Sequence, residues 1–272
     1  MSKRATDVTQ FHSVDRAEDS DFLIGALERL RALQGGQAAR GALIDRLSLG
    51  QGDSAIDVGC GFGDEAAEMA RRVGPGGRVV GVDVSESMIG EARRRHDILV
   101  AQLSWRVADA LDLPFEDDSF DACGAATVLQ HVPDPASVLQ EMTRVLRPGG
   151  RIAILEFDHA TTFLDSPDPD TTRVICDSST QAFVQGWMGR QLPRLFHKVG
   201  LQDISVEPTT VMGGFDISQL ILRRHVDWLR DTGVLSSEVV ERWWSELAEA
   251  DQAGVFTMGA TTFLVAGTKR WG

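Results

Sequence analysis

Asp57-Val58-Gly59-Cys60-Gly61-Phe62-Gly63 sets three glycines at alternate positions, directly after the apolar run 55–58 and directly before the amphipathic segment 64–72. The run has the length of a buried strand and the segment that of a helix, so the glycines fall where a strand turns into a helix. Glycine there lets backbone approach a ligand with no Cβ in the way, and the helix that follows points its first N–H groups at an anionic group. Dinucleotide-binding proteins share such a turn, but their G-x-G-x-x-G spacing requires a third glycine at position 64. This chain has Asp64 there, an acid where a pyrophosphate would lie, so an NAD-dependent oxidoreductase is the weaker alternative.

Outward from the turn, short apolar runs alternate with longer amphipathic ones, the pattern of β-α-β units and a parallel sheet. Strands are expected at 55–58, 78–82, 103–107, 120–125 and 151–157, and helices at 64–72, 86–97 and 134–146. Ser85 and Asp134 stand as N-caps, Asp134 followed by Pro135 at the first helical position. Past residue 157 the rhythm breaks. A mixed helical stretch at about 158–188 contains Pro167 and Pro169; a helix at 189–198 and a strand at 202–211 follow. A second insert at about 213–253 carries Trp228, Trp243 and Trp244 before a last strand at 255–267. Trp243 and Trp244, adjacent on one helix, cannot share a face, so one is expected to meet another subunit or a substrate lid. Upstream, 21–33 and 37–47 read as helices parted by Gly35-Gly36. The organisation expected is an N-terminal helical lid over 1–50, then an α/β domain over 51–272: a Rossmann-like, seven-stranded, mostly parallel sheet flanked by helices, whose helical inserts choose the substrate.

Two further carboxylates fall where strands end. Asp83 closes the second strand, 20 residues past Gly63, where a carboxylate accepts from a ribose diol, and Asp109 follows the third, placed to accept from an adenine amino group.

With these stretches in hand, the chain resembles the class I S-adenosylmethionine-dependent methyltransferases, in particular the small-molecule branch that includes the quinone-biosynthesis C-methyltransferases. DVGCGFG (57–63), VVGVDVSESMI (79–89), DALDLPFEDDSFD (109–121), VLQHVPDP (128–135) and RVLRPGGRIAILEF (144–157) carry the resemblance over roughly residues 54–157. It implies S-adenosylmethionine as cofactor. Asp57, Gly59, Gly61 and Gly63 would cradle its methionine part, Asp57 through the ammonium; Asp83 would hold the ribose hydroxyls. Val84 and Met88 would flank the adenine, Asp109 and Ala110 would meet its edge, and Thr127 and His131 would face the methyl group. Where the family often has an N-terminal tyrosine, this chain offers Phe11. The activity implied is methyl transfer to an oxygen or carbon of a small, largely apolar metabolite in specialised metabolism. The alternative is a protein of the same fold and cofactor whose main role is cyclisation or binding of a metabolite.

The candidate catalytic residues are His131, suited as a base because histidine titrates near neutrality, and Asp158 and His159, which directly follow strand five at the carboxyl edge where ligands bind. His131 packed on the cofactor without acting as a base is the plainer alternative. Phe183, Trp187 and Phe215 are candidates for an apolar acceptor pocket or simply for core. Glu116-Asp117-Asp118 and the trio Asp165, Asp168, Asp170 read as solvated turns, and no metal is expected. Forty acidic against 27 basic residues, a net charge of −13, argue against a nucleic-acid partner. No membrane insertion is expected, the location expected is cytoplasmic, and a homo-oligomer stays open. Cys60, Cys123 and Cys176 form no Cys-x-x-Cys pair and read as reduced thiols.

Overall fold

In the computed structural model, which describes residues 20–33, 35–96 and 102–271, the glycine turn sits at the centre of the sheet. β1 (Ser54–Val58) pairs in parallel with β2 (Arg78–Asp83) on one side and with β4 (Phe120–Ala126) on the other, Asp57 standing opposite Gly81 and Gly124. β3 (Leu103–Val107) lies outside β2, and β5 (Leu146–Leu164) outside β4. β7 (Met258–Thr268) runs antiparallel between β5 and β6 (Gln202–Gly213), giving the order β3-β2-β1-β4-β5-β7-β6. Chain order reverses between β1 and β4, and in open α/β sheets the crevice at the carboxyl ends of such strands receives ligands.

Helices cover both faces. α1 (Ser20–Arg31) and α2 (Gly36–Arg46) precede the sheet; α3 (Asp64–Val73), α4 (Glu86–His96) and α5 (Pro135–Val145) link its parallel strands. The caps follow from side-chain chemistry: Ser85 Oγ accepts from Met88 N at 3.1 Å, and Asp134 Oδ1 from Ser137 N at 3.1 Å. On one face Leu43 and Leu47 pack with Ala66, Met69 and Val73 of α3, so the stretch expected as a lid over 1–50 divides: α2 belongs to the core, and α1 lies over the cavity described below. The other face is closed by α5 and α7 (Met188–Lys198), which bury Leu139, Met142, Leu192 and Phe196. A third apolar cluster joins α6 (Pro169–Ala182), α8 (Phe215–Asp231) and α9 (Ser237–Gln252) beyond the sheet edge. Among the described residues no helix is long and apolar enough to cross a membrane.

Two expectations need correction. The fifth strand does not end at 157 but runs to Leu164, because β7 continues beside it, pairing Phe163 with Gly259 and Leu164 with Met258. Residues 158–162 lack strand periodicity of their own; Thr161 Oγ1 accepting from Thr261 N at 2.8 Å helps bridge the irregularity. The tryptophan pair is also wholly inward. α9 has helical neighbours on two sides, so side chains some 100° apart both find cover: Trp243 Nε1 donates to Thr172 Oγ1 of α6 at 2.9 Å, and Trp244 packs edge-on against Phe215 of α8.

Candidate active site

Each glycine of the turn has positive φ, +68° at Gly59, +50° at Gly61 and +80° at Gly63, but their surroundings differ. A Cβ on Gly59 would strike Val128, and one on Gly63 would strike the Trp105 ring; at Gly61 it would stand in the open, 3.7 Å from Leu27 of α1. Gly59 and Gly63 therefore permit close packing, and Gly61 keeps space clear for a ligand. Asp83 fixes this turn from the next strand, one carboxyl oxygen accepting from Gly61 N at 2.9 Å and the other from Ser85 N at 3.0 Å. Asp109 folds onto its own backbone, accepting from Leu111 N at 2.9 Å. Asp57 lies buried beneath the turn with Oδ2 unpartnered; burial and nearby Glu65 push its carboxyl above the usual range.

A cavity of about 450 Å³ opens over the crevice. At one end it is walled by Gly59, Gly61, Asp83, Val84, Met88, Asp109 and Ala110. Thr127, Gln130, His131, His159 and Phe183 form its waist, and Thr162, Val211, Ile217, Leu222, Met258 and Ala260 line the far end. Leu27, Leu30 and Leu33 cover it from the α1 side. The structure thus brings most of the sequence candidates to one wall. Three stand elsewhere: Asp57 below the turn, Gly63 against Trp105, and Asp158 fully buried in an ion pair with Arg190 of α7. Alternation along β5 accounts for the last, since Asp158 points opposite to Phe157 and His159. Of the aromatic candidates Phe183 reaches the cavity, Trp187 is partly exposed at the start of α7, and Phe215 joins the α8–α9 cluster. Phe11 lies outside the described residues.

The waist is tightly specified. His159 is stacked on Phe183, ring centroids 3.6 Å apart, and burial together with neighbouring His131 lowers its pKa to about 3. Its Nε2 lies 3.1 Å from Gln130 Oε1, and Gln130 Nε2 lies 3.1 Å from His131 Nε2. Thr127, at φ +59° without being glycine, holds the strained turn that leads into this segment. Glu156, fully buried, accepts from Val128 N at 2.8 Å and Leu129 N at 2.6 Å through Oε1, while Oε2 has no partner; burial lifts its pKa to about 8.

Sequence reasoning missed Glu156, Gln130 and a buried cluster in which Arg31 of α1 and Arg40 of α2 both bind Glu65, at 2.7 and 3.1 Å. Burial opposes the charge on Glu65, but Arg40 and Arg31 outweigh it and hold that carboxyl below its usual range. Only Glu156 had a local signal, a lone acid inside the apolar run 152–157 of a central strand.

Comparison with known proteins agrees with this geometry. A family model described as a methyltransferase domain matches residues 49–200. Methyltransferase GfsG of Streptomyces halstedii is 33% identical over 238 residues, 84% of this chain and 80% of that protein. A 2-phytyl-1,4-naphtoquinone methyltransferase of Trichormus variabilis is 45% identical over 108 residues, 39% of this chain and 47% of that enzyme, about half its length. Among solved structures, YcgJ of Bacillus aligns with TM-score 0.63 at 19% identity, over 87% of this chain and 100% of that one. The [4+2]-cyclase SpnF aligns with TM-score 0.60 at 19% identity, over 98% of each chain; at these identities the likeness is one of fold. Its glycine turn, its seven-stranded sheet, and a family match over more than half its length make this chain a member of the class I S-adenosylmethionine-dependent methyltransferases of small molecules.

Proposed function

We propose that this methyltransferase acts on an oxygen or carbon of a small, uncharged, largely apolar metabolite of specialised metabolism. The observation that carries this reading is the distribution of charge in the cavity. Among the described residues its charged lining is Arg31, Arg40, Asp83 and Asp109; both arginines are engaged by Glu65 and both aspartates belong to the turn end, so among the described residues the far end offers no partner for a phosphate or an ammonium. An unpaired ionic group there would pay its full desolvation cost.

The turn end fits S-adenosylmethionine: Gly61 leaves open space that a Cβ would fill, Asp83 offers a carboxylate for a ribose, and Val84 and Met88 offer apolar walls for a purine. When bound, the cofactor supplies a methyl group already activated on sulfur. What remains for the protein is to place the acceptor in line and exclude water, and good alignment is worth on the order of 7–11 kcal/mol in the best intramolecular cases. In our reading α1 closes over the cavity as a lid, Thr127 and His131 flank the methyl group, and neutral His159 accepts a hydrogen bond from a hydroxyl acceptor and orients it. Asp158 serves by fixing α7 through Arg190. The free, buried Cys60 and Cys123 thiols support a cytoplasmic setting.

The deciding experiment is incubation with isotopically labelled cofactor and the metabolite pool of the source organism, read by mass spectrometry. A product heavier by one labelled CH2 is expected. A rearranged product of unchanged mass would overturn methyl transfer in favour of cyclisation, and binding of NADH without binding of S-adenosylhomocysteine would overturn the cofactor.

A further inference from the structure

We propose that Gln130 is a positioning residue of the methyl-transfer site: its side-chain amide sets the tautomers of His131 and His159 in opposite senses and leaves Nδ1 of His159 bare to accept a hydrogen bond from the hydroxyl of an acceptor. The chemical use rests on the function proposed above; the tautomer assignment rests on geometry alone.

An amide side chain has one accepting end and one donating end. Oε1 of Gln130, 3.1 Å from His159 Nε2, only accepts, so His159 carries its proton on Nε2 and its other ring nitrogen has none. Nε2 of Gln130, 3.1 Å from His131 Nε2, only donates, so that nitrogen is an acceptor and neutral His131 carries its proton on Nδ1. One amide between two imidazoles cannot assign them the same role. Rotating it by half a turn would exchange both roles together.

The bridge is held from several sides. The Gln130 carbonyl accepts from Gln185 N at 3.1 Å, and Gln185 Nε2 donates to Pro133 O at 3.2 Å, so the residues after α6 are tied to the segment that bears His131. Glu156 grips the N–H groups of Val128 and Leu129 immediately before it. On the other side His159 donates its own N–H to Gly186 O at 2.9 Å, while Phe183 clamps its ring. Among titratable neighbours, His131 faces His159, Asp158 is turned to Arg190, and Glu156 is turned to backbone. Burial and neighbouring His131 lower the pKa of His159 to about 3, so the ring stays neutral and its Nδ1 acts as a hydrogen-bond acceptor that orients a hydroxyl.

S-adenosylmethionine, when bound, would supply the methyl group and keep the electron pair of the broken C–S bond as a neutral thioether; the hydroxyl proton of the acceptor, hydrogen-bonded to His159 Nδ1, would pass to solvent as the new O–CH3 bond forms. A merely structural Gln130 would hold the loop without ordering the two tautomers.

The test needs neither acceptor nor cofactor. The chain has six histidines, so two-bond proton–nitrogen correlation spectra of 15N-histidine-labelled protein are assignable with His131→Asn and His159→Asn. In the wild type His159 is expected protonated on Nε2 and His131 on Nδ1. In Gln130→Glu, whose carboxylate only accepts, the His131 proton is expected to move to Nε2 while His159 is unchanged. In Gln130→Leu both rings are expected to lose their single tautomer. Identical tautomers on the two wild-type rings would overturn the proposal, even if no variant folds. So would an unchanged His131 spectrum in a Gln130→Glu protein with native near-ultraviolet dichroism. Because these spectra contain no reaction, a failed search for methylated product would leave the tautomer assignment intact.

Discussion

The two ends of the cavity are built by different means. The turn end is made of backbone: glycine dihedrals, N–H groups held by Asp83, and a helix start, all within residues 57–88. The far end is made of side chains from α1, α6, α8 and the strands β5, β7 and β6 on one side of the sheet, elements scattered from Leu30 to Ala260. A backbone site is specified by a few local residues and tolerates little change; a side-chain chamber can be relined by substitution while the sheet stands. The same division separates what all such enzymes must bind from what each must choose.

Gly61→Val probes the contrast most severely. A side chain at φ +50° costs roughly 1–3 kcal/mol in strain, and here it also enters the ligand's space. The expected outcome is a folded protein with no measurable binding of S-adenosylhomocysteine by calorimetry. The matched change Gly63→Ala, whose Cβ meets Trp105, should instead lower the melting temperature. If both variants lose stability alike and Gly61→Val still binds, the turn is structural throughout.

Glu156 holds the segment between the two ends through Val128 and Leu129 N–H, and its titration gives a prediction with a sign. Its folded pKa is about 8 against an ordinary value of 4.5, so the unfolded chain releases the proton first as pH rises. The contribution of Glu156 to stability is therefore greatest below about pH 4.5, falls between 4.5 and 8, and is flat above 8. The full difference is on the order of 5 kcal/mol at about 1.4 kcal/mol per unit. Glu156→Gln keeps an oxygen for the Val128 and Leu129 N–H groups, so urea denaturation as a function of pH should show this component of the slope removed. An identical slope in variant and wild type would mean that Glu156 is charged in the folded protein.

How far each region was legible follows from the range of the interactions that make it. Glycine spacing, the caps at Ser85 and Asp134, and the alternation of strands and helices are local facts, and all were readable. Gln130 between two histidines has no local mark, since its meaning depends on β5 bringing His159 alongside. The same is true of Arg31 and Arg40 meeting Glu65, and of Trp244 finding cover under α8. The run to Leu164 was invisible because pairing with β7, about 100 residues further on, extends that strand rather than its own composition.

Asp158 sharpens the point from the packing side. It ends the readable part of the strand and invites a catalytic role, yet its carboxylate is fully buried against Arg190. Arg190 is half exposed, so removing it strands a buried carboxylate at less than the cost of breaking a fully buried pair, about 1–3 kcal/mol. Arg190→Met should therefore lose that much stability in urea denaturation, whereas an Asp158 free to act in the cavity would leave stability near the wild-type value.

The mildest test asks whether Asp83 serves the ligand or the turn. Its carboxylate already accepts from Gly61 N and Ser85 N, so it anchors the turn whether or not a ribose diol is bound. Asp83→Ala removes both functions and should weaken S-adenosylhomocysteine binding by about 1–3 kcal/mol, roughly 5- to 150-fold. Asp83→Asn separates them. Its amide oxygen can still accept from Gly61 N, so the turn keeps that anchor and gives up the Ser85 N bond; the NH2 group, which cannot accept, ends the bidentate reception of two hydroxyls. If the ligand is what Asp83 serves, Asn should bind nearly as poorly as Ala while melting close to wild type. If the turn is what matters, Asn should recover most of the affinity along with the stability, and the ribose contact would then have to come from elsewhere in the cavity wall.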